Sequence, residues 1–425
     1  MNAFLDEIRR GASPDFAAFR VALGAALPLL DRLAATEQDA EWHAEGDVAV
    51  HTGLVLTGAY ELAEHHDLSG DTRLSLVLAA ALHDIGKALT TRRSLDNTGR
   101  ERVISPRHAD RGRSYLAYRL PELGLPEAVQ SAVLALVGHH HDLGRTLEAG
   151  THSAFRRLAR QVDLRLLYLL EMADTRGRVT KDRQARLDDT ELFRMQAEEY
   201  ELWENSDPYG DWCGTVTDAL PGFGPAFLDL TAQGGILDYE AGLIQTPQEA
   251  VSRSYSARSG FPELVVTCGP SGSGKSGWIA EHLPGYTVVS LDALRDAMAG
   301  KRADQSLNGQ VLQAAKEALR VVLRRGGKVV WDATNTRRDF RRVPIGLGLD
   351  YGALTTLVVF QPPISTLLGR NPGRSHSVPP TVLAQQIDNA EFPYLPEAHR
   401  TLRLDEYHRE TGRAGFGHSP TFAPE

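Results

Sequence analysis

One short segment constrains this chain more than any other: a glycine-rich loop that directly follows an apolar run, Leu264 to Cys268. The loop spans residues 269–276 and reads Gly-Pro-Ser-Gly-Ser-Gly-Lys-Ser, which matches the pattern G-x-x-x-x-G-K-[ST]. Its glycines allow backbone conformations in which successive N–H groups face phosphate oxygens at a helix N-terminus. Lys275 would then lie by the β- and γ-phosphates, and Ser276 would hold Mg²⁺. The segment predicts a nucleotide phosphate-binding loop; the alternative is an ordinary Gly/Ser turn. The loop positions that we expect to bind the nucleotide are Gly269, Gly272, Ser273, Gly274, Lys275 and Ser276.

A chain of 425 residues is too long for one ordinary core, so two or three domains are expected. Only Cys213 and Cys268 occur, which argues against a disulfide framework and favours a reducing compartment. The N-terminus lacks the pattern of a secretory signal, and no stretch is long and apolar enough to cross a bilayer. We therefore expect a cytoplasmic protein with no membrane association.

The net charge of −9 is unevenly distributed along the chain. Residues 261–425 contain 19 Lys and Arg against 16 Asp and Glu, whereas residues 1–260 contain 27 against 39. Neither part has the charge of an extended basic groove. If nucleic acid is the substrate, we expect it to be bound locally at a strand end.

The N-terminal part combines helical periodicity with histidines at the ends of apolar segments. We predict helices over residues 16–33 with a break near Pro28, and over 48–63, 74–82, 127–137 and 155–174. Ten of the 15 histidines precede residue 153. A single histidine at a helix end is usually a cap or solvated residue, but imidazoles grouped with carboxylates suit Fe, Mn, Zn or Ni.

The order of these residues resembles the HD phosphohydrolase superfamily, specifically its members with two or more metals. The resemblance covers one histidine, a His-Asp pair, a middle histidine, a histidine pair and a final aspartate: His51, His83, Asp84, His108, His139, His140 and Asp174. By that resemblance one ion is held by His51, His83, Asp84 and Asp174. A second ion is held by Asp84, His108, His139 and His140. Asp47 occupies the place where some relatives carry an extra acidic ligand, although a lone carboxylate is more often solvated.

Residues 83–87, His-Asp-Ile-Gly-Lys, also resemble the HD-GYP subfamily, in which the lysine, here Lys87, contacts substrate phosphate. No G-Y-P follows the histidines, so cyclic-dinucleotide specificity is not implied. Two divalent ions (Mn, Fe, Ni, Co or Zn) would support phosphate ester hydrolysis without a protein nucleophile.

The C-terminal part alternates apolar runs with helical segments, which predicts a parallel sheet with helices on both faces. Strands are expected over residues 286–290, 328–332 and 353–360. Ligands gather at the C-terminal ends of such strands. Asp292 is placed there to accept a proton from an attacking hydroxyl, with Arg295 on the same helix face; the alternative for Asp292 is a helix cap. Asp332 resembles a Walker-B aspartate, and its alternative is a loop cap.

A segment rich in Pro, Gly and Ser, residues 370–379, carries Arg370 and Arg374. Arginines on a closing lid would stabilise a transferring phosphoryl group. Together, G-x-x-x-x-G-K-S, D-x-x-R, D-A-T-N and R-x-x-x-R followed by V-P resemble the polynucleotide 5'-kinases of phage and bacterial nucleic-acid repair. That resemblance covers about residues 261–395 and implies a general base at Asp292 and an acceptor-phosphate contact at Arg295. It also implies a lid that includes Arg370 and Arg374, and a bound ATP (or another NTP) with Mg²⁺.

The whole chain thus resembles the HD-Pnk family of bifunctional end-healing enzymes. The expected fold is an all-α HD bundle over residues 1–214, a connector over 215–260, and an α/β P-loop polynucleotide kinase domain over 261–425. The resemblance implies RNA or DNA strand ends as substrates. Because no K-x-D-G motif occurs, it implies a separate ligase. Two alternatives stay open: an HD nucleotide phosphohydrolase of a signalling pathway, regulated by an ATP-binding module, and an ATP-driven scaffold.

Overall fold

The computed structural model of the chain describes residues 1–299, 308–373 and 377–418. It divides into two compact units, Met1–Pro208 and Tyr209–Glu425. The first is a helical domain and the second an α/β domain with a mostly parallel sheet, as the sequence predicts. In the part of the chain that the structure describes, no helix is long and apolar enough to cross a membrane.

The first unit contains eleven helices, two 3-10 segments and one short hairpin. In chain order they are α1 Asn2–Arg9, α2 Phe16–Leu23, the 3-10 segment Pro28–Ala35, α3 Val48–His65, α4 Gly70–Leu82, α5 Lys87–Thr90, β1 Arg92–Leu95, β2 Glu101–Ile104, α6 His108–Ala117, the 3-10 segment Leu120–Leu123, α7 Glu127–His139, α8 Asp142–Ala149, α9 His152–Ala159, α10 Leu164–Gly177 and α11 Arg183–Glu199. The centre of this unit is α4, whose residues from Arg73 to Leu82 are all buried.

One helix prediction in this unit is wrong. The stretch 155–174 was expected to be continuous, but it forms α9 and α10 with a break between them. Asp163 starts the second helix, since its side chain accepts a hydrogen bond from the Leu166 N–H at 2.9 Å. An aspartate followed by apolar residues is a typical helix start, and periodicity alone did not reveal it.

The second unit begins with helices and continues as the α/β layer. In chain order it contains α12 Gly210–Ala219, α13 Pro225–Glu240, α14 Pro247–Arg253, the 3-10 segment Ser254–Ser259, β3 Glu263–Cys268, α15 Lys275–His282, β4 Thr287–Ser290, α16 Leu291–Ala299, α17 Asn308–Arg324, β5 Lys328–Asp332, α18 Arg338–Asp350, β6 Leu354–Phe360, α19 Ile364–Arg370, the 3-10 segment Asn371–Gly373, α20 Pro380–Asp388, β7 Arg400–Leu404 and β8 Glu410–Ala414.

The sheet has the strand order β4-β5-β3-β6-β7-β8. Strands β3 to β7 are parallel, and β8 pairs antiparallel with β7 at one edge. Chain connections between parallel strands are right-handed. The step from β3 to β4 runs in one direction across the sheet, whereas the steps from β4 to β5 and from β5 to β6 run in the other. Helix α15 therefore covers one face, and α17 and α18 cover the opposite face.

The expected connector, residues 215–260, contains helices that pack around a core of their own within the second unit. Trp212, Phe227 and Ile236 are among its buried residues. Asp229 of α13 is fully buried and accepts hydrogen bonds from the Arg400 guanidinium of β7 at 2.6 and 3.0 Å. A buried ion pair thus anchors this helical segment to the sheet.

Two candidate active sites

The first candidate site lies where α3, α4 and α10 meet. The His51 Nε2 atom is 2.9 Å from Asp174 Oδ1, and the His83 Nε2 atom is 3.3 Å from Asp84 Oδ2. All four side chains are buried. Three helices therefore bring the residues expected to hold the first ion to one centre.

Gly86 explains how the next histidine reaches this centre. A Cβ atom at Gly86 would stand 2.0 Å from the carbonyl oxygen of His108, so only glycine allows α6 to start so close. As a result, His108 Nε2 lies 3.1 Å from Asp84 Oδ1. The glycine of the His-Asp-Ile-Gly-Lys segment thus has a packing role that places a ligand candidate.

The carboxylate of Asp84 faces a different group of histidines with each of its oxygens. Its Oδ2 atom is 3.3 Å from His83 Nε2 and 3.6 Å from His51 Nε2. Its Oδ1 atom is 3.1 Å from His108 Nε2 and 4.0 Å from His140 Nε2. A carboxylate is able to donate one oxygen to each of two cations, so this geometry fits a bridging ligand.

The second group of histidines differs from the expected set at one position. His108 Nε2 lies 3.2 Å from His140 Nε2 and 3.0 Å from His141 Nε2. The metal-competent group is therefore His108, His140 and His141, whereas His139 was expected in place of His141. The ring of His139 instead turns toward Asp142, with its Nδ1 atom 2.7 Å from Asp142 Oδ2. Of the expected pair, the structure thus brings His140 but not His139 to this group, and the ligand set stays a prediction.

Three of the histidines are held in the tautomer that a metal ligand needs. The Nδ1 atoms of His83, His108 and His140 each lie 2.8 to 2.9 Å from the carbonyl oxygen of the residue three positions earlier. A carbonyl only accepts, so Nδ1 carries the proton and Nε2 presents its lone pair. Lone pairs of His108 and His140 that converge at 3.2 Å have no hydrogen to share, which fits a cation between them. The donor set thus suits divalent metal ions.

Two cations adjoin the carboxylates of the site. Lys87 Nζ is 2.7 Å from Asp84 Oδ2 and donates to the Gln38 side-chain oxygen at 2.8 Å. Arg178 forms an ion pair with Asp174. Burial alone would raise the pKa of Asp84, but the neighbouring groups, first among them the charge of Lys87, outweigh it and hold that pKa well below its ordinary value. The carboxylates are therefore ionised and ready to bind cations.

Burial lowers the pKa of each of these histidines, but the net shift depends on the neighbouring groups. At His140, which is fully buried, burial holds the pKa well below its ordinary value. At His51, burial is outweighed by the hydrogen bonds to Asp174 and Glu45, which raise its pKa to about 9. His140 is thus a neutral imidazole, the form that binds metals.

Glu45 is a site residue that the sequence analysis missed. Its Oε1 atom is 2.9 Å from His51 Nδ1 and 2.8 Å from His43 Nδ1, and its Oε2 accepts from the Val179 N–H at 2.9 Å. A carboxylate behind a ligand histidine fixes the ring orientation. The sequence signal was weak, since Glu45 lies in an irregular loop. Asp47, considered as a ligand, instead caps α3 by accepting from the N–H groups of Ala49 and Val50.

The second candidate site is the loop between β3 and α15. Gly272 and Gly274 have φ angles of +85° and +101°, which a side chain would strain. The Lys275 Nζ atom donates to the carbonyl oxygens of Gly269 and Pro270 at 2.9 and 2.8 Å, and Ser276 at the start of α15 is exposed. Ser273 is buried beneath the loop. The loop has the conformation and the helix N-terminus that phosphate binding requires.

The neighbouring strand ends carry the other predicted residues of this site. Asp292 lies in the first turn of α16, and its carboxylate, 67% exposed, accepts from Arg295 Nη1 at 2.6 Å. It lies within the helix rather than capping it. In the β4–β5 register Ser290 is opposite Asp332, so Asp292 and Asp332 lie at the same edge of the sheet.

The predicted lid is only partly described. Arg370 ends α19 and donates to the carbonyl oxygen of Glu406 at 2.7 Å. Arg374 lies outside the described residues. The β7–β8 turn also reaches the phosphate loop, because a Cβ atom at Gly274 would stand 2.4 Å from His408 Nε2.

Comparisons with known proteins give one family match for each of the two parts of the chain. Residues 48–178 match the HD domain family, and residues 264–393 match a family described as AAA domain. The chain is 31% identical to the multifunctional CCA protein of Xanthomonas campestris pv. campestris (strain B100) over 185 residues, 41% of each chain. It is 32% identical to that of Burkholderia pseudomallei (strain K96243) over 147 residues, 34% of this chain and 31% of the relative. The chain thus spans less than half the length of these curated relatives.

Proposed function

We propose that this chain, which joins an HD domain to a P-loop kinase-like domain, is a bifunctional end-healing enzyme of the HD-Pnk type. Its C-terminal domain phosphorylates 5'-OH polynucleotide ends with ATP or another NTP. Its N-terminal domain removes 2'- or 3'-phosphate or 2',3'-cyclic phosphate ends. The observation that carries the hydrolase half is Asp84, whose two oxygens lie 3.1 Å and 3.3 Å from histidines of two separate groups.

In the HD domain, residues of the chain would bind the metal ions, contact the substrate and orient the ligand side chains. His51, His83 and Asp174 would hold one divalent ion, and His108, His140 and His141 the other, with Asp84 shared. Two divalent ions supply Lewis-acid activation of water and neutralise phosphate charge. Lys87, at 2.7 Å from Asp84, places a further cation where a substrate phosphate oxygen would lie. Glu45 holds the His51 ring in place through its Nδ1 atom.

In the kinase domain, residues that follow the ends of different strands would perform different steps of phosphoryl transfer. The loop amides and Lys275 bind the donor phosphates, and Ser276 binds Mg²⁺. Asp292 accepts the proton of the attacking 5'-hydroxyl, and its 67% exposed carboxylate is open to an acceptor. Arg295 contacts the phosphate next to that hydroxyl. Arg370 and Arg374 belong to a lid that adds charge to the transferring phosphoryl group.

The two activities complement each other chemically. A strand broken into 5'-OH and 3'-phosphate or 2',3'-cyclic phosphate ends needs both steps before it is sealed. We propose that a separate ligase performs the sealing. We also retain the domain bounds 1–214, 215–260 and 261–425 as the functional division of the chain.

The test is a separation of the two activities. Purified wild-type protein receives end-labelled 5'-OH and 3'-phosphate oligonucleotides of RNA and DNA, with small nucleotides as competing acceptors. Asp292→Asn should lower 5' phosphorylation by roughly 10²–10⁴-fold, the usual contribution of a general base, and leave phosphate release unchanged. His83→Ala should do the reverse. Asp350→Asn, an exposed carboxylate at the end of α18, is the matched control.

Two results would overturn the proposal. Phosphate transfer only to small nucleotides would favour a signalling phosphohydrolase with an ATP-binding module. ATP hydrolysis that needs no acceptor would favour an ATP-driven scaffold.

A further inference from the structure

The first turns of α18 present an exposed aromatic ring among arginines. Phe340 is 52% exposed, and the Arg337 guanidinium carbon lies 5.0 Å from its ring centroid. Arg338 and Arg342 are also exposed, and Asp339, which pairs with Arg337, is the one acidic residue in 337–342. We call Arg337, Arg338, Phe340 and Arg342 the α18 platform. A single exposed apolar residue is common, but this one is surrounded by exposed arginines.

The start of α18, which carries the platform, is held in place by buried contacts. Arg341, between its members in sequence, is 1% exposed and pairs with Glu397, with Nη2 to Oε1 at 2.7 Å. Its Nη1 atom also donates to the Thr336 carbonyl oxygen at 3.2 Å. The Arg338 N–H donates to the Glu391 side chain at 2.7 Å. With the start of α18 held in this way, Phe340 is directed outward by the helix geometry.

The segment that leads into the platform is hydrogen-bonded to the start of the phosphate loop. The segment between β5 and α18 bonds to the end of β3: the Gly269 N–H donates to Thr334 O at 2.8 Å, and the Asn335 side chain donates to Thr267 O at 2.8 Å. Phe340 follows Asn335 by five positions. The platform therefore begins at the edge of the sheet that carries the proposed kinase chemistry.

The platform also lies on the face of the sheet that carries Asp292, the proposed general base. Helices α17 and α18 share one face, and α16, which carries Asp292, packs on α17. The Arg295 guanidinium donates to the side chain of Asn308 at the start of α17, at 3.3 Å. Helix α15, which follows the phosphate loop, covers the other face. Phe340 is thus on the side where the proposed general base is found.

Resting on the proposed kinase function, we propose that Phe340 stacks on a nucleobase of the single-stranded acceptor near its 5' end, while Arg337, Arg338 and Arg342 contact its phosphates. An aromatic face offers stacking to every base, and arginines next to it attract the backbone. A single strand is required, because bases in a duplex are already stacked on each other. Phe340 is a positioning residue in this scheme, and the substrate class is a 5'-OH strand with unpaired terminal nucleotides.

The experiment compares Phe340→Ala, Phe340→Trp and the control Leu349→Ala, a 39% exposed residue later in α18. Steady-state kinetics use a single-stranded 5'-OH oligonucleotide, the same strand in a blunt duplex, and strands with one abasic position among the first few nucleotides. We expect Phe340→Ala to raise KM for the single strand roughly 5- to 100-fold, with KM for ATP unchanged. Phe340→Trp should restore the wild-type value. One abasic position should abolish the difference between wild type and Phe340→Ala.

The outcomes separate the inference from the function on which it rests. If the wild type phosphorylates the single strand and Phe340→Ala leaves its KM unchanged, the platform is refuted and the kinase assignment stands. An equal loss on every abasic strand, or a parallel rise in KM for ATP, also refutes it, since the effect would then be structural or would concern the donor. If the wild type phosphorylates no polynucleotide, both proposals fail.

A second variant tests one of the arginines through the salt dependence of acceptor binding. Arg342→Ala should reduce the salt dependence of acceptor KM by about one phosphate contact. A salt slope equal to that of the wild type would remove Arg342 from the platform.

Discussion

Replacement of Asp84 by asparagine gives the sharpest test of the HD site. Asparagine has the shape of aspartate and keeps one oxygen, so the packing around the buried side chain is preserved. It removes the charge, however, and it leaves one face of the side chain with an NH₂ group that cannot bind a cation. The two histidine groups should therefore respond differently.

The structure predicts which group loses its ion. The group of His108, His140 and His141 contains no carboxylate, so its negative charge comes from Asp84 Oδ1 at 3.1 Å from His108. The other group keeps Asp174, whose Oδ1 atom is 2.9 Å from His51. At an effective dielectric constant of about 20, a unit charge pair 4 Å apart is worth about 4 kcal/mol. Loss of that charge should weaken metal binding by the second group roughly a thousandfold.

The assay measures metal content and both activities on the same preparation. Protein is loaded with Mn²⁺, dialysed, and analysed by elemental mass spectrometry beside the kinase and phosphate-release assays. We expect the wild type to retain about two ions per HD site and Asp84→Asn about one. Phosphate release should fall by at least a hundredfold, and 5' phosphorylation should be unchanged.

Asp47→Asn is the matched control, because Asp47 is also an aspartate close to His51 in sequence. The structure assigns it to the N-terminus of α3, where asparagine caps as well as aspartate. This variant should therefore keep both ions and both activities. If Asp84→Asn keeps the wild-type metal content and affinity, or if Asp47→Asn loses an ion, the assignment of ligands is wrong.

Three further predictions follow from the structure. His141→Ala should weaken metal binding by the second group and lower phosphate release, each roughly tenfold or more, whereas His139→Ala should have the smaller effect; a larger effect of His139→Ala would favour the pair His139 and His140 as ligands. Burial, aided by Arg400, lowers the pKa of His399 from 6.5 to about 4. The unfolded chain therefore binds the proton first, and up to about 3 kcal/mol of stability should be lost as pH falls from 6.5 to 4; denaturant unfolding of His399→Gln should show a flatter pH dependence, and an equal slope would contradict this. Asp229→Ala removes the carboxylate that accepts from buried Arg400, so the second unit should lose about 3–5 kcal/mol in the same assay, and a loss below 1 kcal/mol would contradict the anchoring role.

The fold class was predictable because it depends on local patterns. The apolar runs at 328–332 and 353–360 correspond to β5 and to β6, Leu354–Phe360. The last two strands were not predicted. In β7, Arg400 and Arg403 interrupt the apolar pattern, yet both are buried. Arg400 is compensated by Asp229, a residue 171 positions away in sequence. A partner at that distance leaves no local signal.

Among the proposed site residues, those in one contiguous segment were predictable from the sequence, whereas those defined by contacts between separate segments were not. The phosphate loop is contiguous, so its conformation follows from its own glycines, Gly272 and Gly274. Glu45 and Arg178 were missed because each is defined only by contact with a ligand candidate from another segment: Glu45 with His51, and Arg178 with Asp174. An acidic residue in a loop and an arginine after a helix have many solvated counterparts in any sequence.

The run His139-His140-His141 shows why even a strong motif leaves one choice open. Helix α7 ends at His139, and His140 still has helical backbone angles, so neighbouring side chains leave the axis about 100° apart. Only two of three consecutive side chains are able to face one centre, and a sequence pattern counts histidines without fixing that rotation. The rotation is fixed by packing: His140 is fully buried and its Nδ1 donates to Val137 O at 2.8 Å. With His140 directed at Asp84, the backbone turn after α7 brings His141 to His108, and His139 is left to pair with Asp142.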